Sequence, residues 1–146
     1  MSGAVNFLEA VLSAEEENRN TYDIYGQLTD QYSARNLLAT LEAASRDRLH
    51  ALQRFAQRDD IEALLADVTG VDLGGTGDVY GFDAGMRYAD FLRLICRRER
   101  ALAVQYGAIH DASGNEAVRR LFGGMAEDCR RRHRLAQTRY ELETLV

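Results

Sequence analysis

The sequence predicts an all-α fold, and three observations carry that prediction. Apolar residues recur at helical spacing over four long stretches, about 4–30, 34–57, 84–111 and 115–143. Proline is absent, so nothing forces a break inside those stretches, and the glycines gather in two places. With 146 residues and 46% hydrophobic content, the chain is the size of one domain with a single core, residues 1–146.

The first helix places Phe7, Val11, Ala14, Asn18, Thr21, Tyr25 and Leu28 on one row, with Asn18 as its polar interruption. A few residues around Asp30 to Ser33 turn the chain into the second helix, whose row is Leu37, Leu41, Ala44, Asp47, Ala51 and Phe55. Residues 58–83 form a long crossover with a short helix expected at 61–68. A 25-residue helix is about 38 Å long, a length the crossover can retrace, so the second and third long helices are expected to run parallel. The third helix shows Tyr88, Leu92, Ile95, Glu99, Leu102, Tyr106 and Ile109, centred on Glu99. After the turn-forming Asp111-Ala-Ser-Gly-Asn115, the fourth shows Val118, Phe122, Met125, Cys129, Arg132, Ala136 and Tyr140. Two antiparallel hairpins around one crossover give a four-helix bundle.

Composition excludes several functions. Every one of the eighteen basic residues is Arg, which removes the P-loop lysine, Schiff-base chemistry and a lysine base. A net charge of −5 gives no overall attraction to nucleic acid or an anionic membrane. No segment has the apolar length of a membrane span, and Met1 to Ala14 lacks the features of a secretory signal. Two cysteines make no disulfide framework, so a cytoplasmic location is expected. Gly75, Gly77 and Gly81 miss the dinucleotide-binding spacing by one residue and read as a crossover turn.

A polar residue at the middle of each apolar row marks a candidate site, because an unpaired carboxylate such as Glu99 is costly to bury. His50 follows Asp47 by three residues, and an acid and an imidazole at that spacing can grip one ion. The hairpins also resemble each other: Asn18-x-x-Thr-x-x-Ile-Tyr25-x-x-Leu aligns with Glu99-x-x-Leu-x-x-Gln-Tyr106-x-x-Ile. Asp47 then follows Tyr25 by 22 residues, and Cys129 follows Tyr106 by 23.

These patterns resemble the ferritin-like, rubrerythrin-type proteins, with E-x-x-A-x-x-x-Y on the first and third helices and F-x-x-L-A-x-E-E-x-x-H on the second and fourth. Leu121-Phe-Gly-Gly-Met-Ala-Glu-Asp-Cys-Arg-Arg-Arg132 follows the latter run until its final ligands. The resemblance implies a ferritin-like four-helix bundle and a di-iron site held by a Glu from each of the first and third helices and a Glu-x-x-His from each of the others. Glu99 and His50 match those ligand types and Asp47 is a shorter acid, whereas Asn18, Cys129 and Arg132 do not match.

The candidate metal ligands are therefore Asp47, His50, Glu99, Asn18 and Cys129, with Tyr25, Tyr106 and Arg132 around them. Tyr25 and Tyr106 are expected to direct their hydroxyls to the central carboxylates, and the Arg132 guanidinium to lie between Asp47 and Glu99. Its fixed charge limits the expected cofactor to iron or another transition metal, at most one ion per chain or none. Two functions follow. One is a metal-binding redox protein of the ferritin-like type, an oxidoreductase acting on peroxide, dioxygen or iron itself; with no C-x-x-C segment of its own, it would need an external electron donor. The other is a non-catalytic structural or interaction bundle whose former metal site is a salt-bridge network. Leu8, Leu12, Leu38, Leu49, Phe91 and Leu94 lie beyond a single stripe, and for that reason a homodimer is expected.

Overall fold

A computed structural model of the chain describes residues 3–73 and 81–145. It is all-helical: α1 (Gly3–Leu28), α2 (Tyr32–Ala56), the short α3 (Ile61–Leu65), α4 (Tyr88–Ala112) and α5 (Glu116–Thr144), with no strand among the described residues. The four long helices fall within four residues of the expected stretches. The largest difference is at the start of α4, where Asp83 organises a turn instead. Its carbonyl accepts from Met86 N at 3.0 Å and its Oδ1 accepts from Gly85 N at 3.0 Å. Gly75 and Gly77 lie outside the described residues.

The hairpins close through short loops. Asn115 caps α5 by accepting from Val118 N at 3.1 Å, satisfying one of the otherwise unpaired amides of the first turn. Arg119 closes the other side of that turn, donating through Nη1 to the carbonyls of His110 and Ser113, both at 3.0 Å. The crossover is tied to the same corner, since Asp67 Oδ2 accepts from Gly114 N at 2.9 Å.

Between the hairpins, α1 and α4 run in opposite directions. Passing from Glu15 to Tyr25 along α1, the hydrogen-bonded partners fall from Tyr106 through Glu99 and Arg98 to Met86.

The interior consists of two apolar clusters. One holds Phe7, Val11, Leu52, Tyr106, Phe122 and Cys129 with the crossover residues Leu64, Leu65 and Val68. The other holds Tyr22, Tyr25, Leu38, Leu41, Phe91, Ile95 and Ala136. Along α1, α2 and α4 the break between them falls at Glu15 and Asn18, at Ser45 and Arg48, and at Arg98 and Glu99, all six buried and polar. A polar layer therefore crosses an otherwise apolar core.

Leu8, Leu38, Leu49, Phe91 and Leu94 are buried within the single chain, and Leu12 packs partly buried against the first cluster. The bundle therefore hides a wider face of each helix than one stripe.

The crossover residues form part of the core. Leu65 is fully buried, so Leu65→Ala should cost about 2–5 kcal/mol, read as a lower urea midpoint with unchanged slope. A loss under about 0.5 kcal/mol would show that the crossover does not seal this end of the bundle.

Candidate functional site

The polar layer is organised around Arg48 of α2, whose side chain is 4% exposed. Nε donates to Glu15 Oε1 at 2.6 Å, Nη2 to Glu15 Oε2 at 3.4 Å and to Glu99 Oε1 at 3.0 Å, and Nη1 to Asp128 Oδ2 at 2.7 Å. One guanidinium thus joins carboxylates from α1, α4 and α5, using the planar fork that distinguishes Arg from Lys.

The two buried glutamates are held by an exchange of tyrosines. Tyr22 of α1 donates to Glu99 Oε1 of α4 at 2.6 Å, and Tyr106 of α4 donates to Glu15 Oε1 of α1 at 2.8 Å. Ser45 Oγ donates to Glu15 Oε2 at 2.6 Å, and Asn18 Nδ2 to Glu99 Oε1 at 3.3 Å. Among the described residues, Glu99 Oε2 and Asn18 Oδ1 are buried with no hydrogen-bond partner.

Burial dominates the electrostatics. It raises the Glu15 carboxyl above its ordinary value, with Arg48 pulling the other way. Tyr22, Tyr106 and the Cys129 thiol are all pushed well up, by burial first and then by the neighbouring carboxylates, so all three are neutral at physiological pH. Burial would lower Arg48, but Glu99 and Glu15 outweigh it and keep the guanidinium charged. Of the groups that meet at Arg48, one cation faces the two buried carboxylates Glu15 and Glu99. At the rim of the layer Asp128 also faces Arg131 at 3.5 Å and Arg132 at 3.4 Å.

Of the residues singled out from sequence, Glu99, Asn18, Cys129 and Tyr106 are brought into this layer. Asp47 and His50 are not, because both are exposed. The inward row of α2 is Leu41, Ser45, Arg48 and Leu52, and one residue along a helix turns a side chain by about 100°, which carries Asp47 out of it. Tyr25 donates to the Met86 carbonyl at 2.9 Å and stacks on Phe91 at 3.9 Å between ring centroids, leaving the expected carboxylate contact to Tyr22. Arg132 does not reach Glu99; its part is played by Arg48 from the opposite hairpin. His133 does not enter the centre either, and its Nδ1 lies 2.9 Å from the Cys96 carbonyl.

Glu15, Tyr22, Ser45 and Arg48 were missed, although a signal for them exists. Glu15 and Tyr22 stand seven residues apart, as do Glu99 and Tyr106. The intervals from 15 to 99, 22 to 106, 45 to 129 and 48 to 132 are all 84 residues. The helix starts at 32 and 116 and the helix ends at 28 and 112 share that interval. These positions share one interval, displaced by three residues from the alignment of Asn18 with Glu99. Ser45-x-x-Arg48 corresponds to Cys129-x-x-Arg132.

No protein-family model, no curated protein and no solved structure matches the chain. Among the described residues, no group of three or more His, Cys, Asp or Glu is arranged to hold a metal ion, and no helix is long and apolar enough to cross a membrane.

The raised Glu15 carboxyl sets a pH dependence. A group whose pKa is higher in the folded than in the unfolded chain contributes its stability below the unfolded value, near 4.5, and loses it as pH rises. Glu15→Gln should therefore gain stability relative to the parent between pH 4.5 and pH 7.5, followed by urea midpoints at the two pH values. A relative loss over that range would mean that Arg48 holds Glu15 below its ordinary value.

Proposed function

We propose that the chain is a ferritin-like bundle of the rubrerythrin type in which the Arg48 ion-pair layer stands where the family holds metal, and that it serves as a non-catalytic structural or interaction module. The observation that carries this is the guanidinium itself, within hydrogen-bonding distance of Glu15, Glu99 and Asp128.

The topology supports the assignment. With α1 antiparallel to α4 and each hairpin antiparallel within itself, α2 and α4 point the same way, joined by residues 57–87. In the 84-residue register, the family's helix-one and helix-three glutamates fall on Glu15 and Glu99. Its two Glu-x-x-His pairs fall on Ser45-x-x-Arg48 and Cys129-x-x-Arg132. Both carboxylates without a paired histidine remain, while each paired position has lost its acid and exchanged imidazole for a fixed cation.

Such a donor set does not suit two iron ions. A divalent cation between Glu15 and Glu99 would meet a guanidinium that cannot lose its proton. Two buried carboxylates also fall short of four positive charges, and the Cys129 thiol is neutral in this setting.

The chain purified without chelators and loaded with ferrous ion should hold well under one ion. Ser45→Glu, Arg48→His, Cys129→Glu and Arg132→His made together should raise uptake towards two, as measured by metal analysis per chain. Two tightly held ions in the unmodified chain would overturn the proposal and favour the iron-dependent oxidoreductase with its external donor.

A further inference from the structure

The net charge of −5 conceals a division between the two hairpins. Residues 1–83 carry six arginines against fifteen acidic residues, whereas residues 84–146 carry twelve against eight. The second hairpin is therefore a basic body on an acidic protein, and part of that charge surrounds a cavity.

On the outer side of α4 and α5 lies a groove of about 200 Å³. Arg93, Arg97 and Arg100 of α4 line one wall at i, i+4 and i+7, and His133, Gln137 and Tyr140 of α5 line the other at the same spacing. The three arginines are exposed at the groove's edge. Arg93 and Arg100 enter no salt bridge among the described residues, unlike Arg130 and Arg120, which pair with Glu127 and Glu116 on their own helix.

The floor is arranged to suit an anion. A carbonyl only accepts, so at 2.9 Å from the Cys96 oxygen His133 Nδ1 must carry the hydrogen, which leaves Nε2 as the nitrogen available to a ligand. Burial pushes the Cys96 thiol up to about 11, so it brings no negative charge to the floor. Glu141 is an acidic neighbour, but it is exposed and accepts from Gln137 Nε2 at 3.2 Å.

We propose that this groove binds a small phosphorylated molecule through its phosphate, with Arg93 and Arg100 as the charged clamp and His133 and Tyr140 as further hydrogen-bonding groups. Guanidinium pairs match phosphate oxygens in geometry as well as in charge. A groove of this size admits one such group rather than an extended polyanion. The groove's lining shares no residue with the Arg48 layer, so the site is independent of what that layer does.

The test is NMR of the three histidine rings while inorganic phosphate, or in a second arm inorganic pyrophosphate, is added at fixed pH and ionic strength. The His133 ring signals should shift to saturation while those of His50 and His110 stay still. The double substitution Arg93→Gln and Arg100→Gln should weaken binding by about tenfold or more, on the strength of charged hydrogen bonds. Arg120→Gln with Arg130→Gln should leave it unchanged. Comparing the two arms tells a monophosphate from a diphosphate ligand. An unmoved His133, an equal shift on adding chloride, or binding that survives the Arg93 and Arg100 substitutions would overturn the proposal. So would binding to anionic phospholipid vesicles with no response to soluble phosphate, which would assign the groove to a membrane surface.

Discussion

The interior of this bundle depends on one guanidinium. Glu15 and Glu99 enter from helices of different hairpins into a region with little water, where two carboxylates close together would repel each other and each would be costly to desolvate. Arg48 makes their burial tolerable by lying between them, and it reaches the fourth helix through Asp128. Its apolar stem allows the long side chain to lie buried in the interior while the charged fork ends among the carboxylates. Removing it would leave two buried negative charges with only Tyr22, Tyr106, Ser45 and Asn18 to receive them.

The layer also has an effect on specificity. Apolar clusters on either side of it could slide by a turn with modest loss, because leucine and phenylalanine contacts are non-directional. The tyrosine exchange between Glu15 and Glu99, with Arg48 bidentate on Glu15, ties α1 to α4 directionally in the register observed. Polar groups at the centre thus fix the relation of the two hairpins, a role best attested for single buried polar residues in coiled coils. The same network limits chemistry: its thiol and phenols are neutral and its cation cannot be displaced by a change of pH within the physiological range.

Much of the helical layout was legible in the sequence, because apolar spacing and the Asp111–Asn115 turn act locally. The site was legible in part. Glu99, Asn18, Cys129 and Tyr106 stand out as polar or phenolic interruptions of apolar rows. Arg48 was hidden because the acid and imidazole at Asp47 and His50 offered a familiar ligand spacing one step round the helix. Glu15 was hidden because it begins a run of three glutamates, which reads as a solvated face until the 84-residue interval singles out its first member. The pairing of Arg48 with a glutamate on α4 depends on tertiary contact over 51 residues and leaves no local trace.

The dependence of the core on Arg48 is tested most directly by a double-mutant cycle at pH 7 with Arg48→Met and Glu15→Gln, measured by urea unfolding. Arg48→Met alone should cost about 3–5 kcal/mol, since it strands buried charge. Glu15→Gln should then recover part of that loss in the Met background, so that its effect there exceeds its effect in the parent by about 1–3 kcal/mol. An equal effect of Glu15→Gln in both backgrounds would show that the two side chains are not energetically coupled and that Arg48 is not what holds the buried carboxylates.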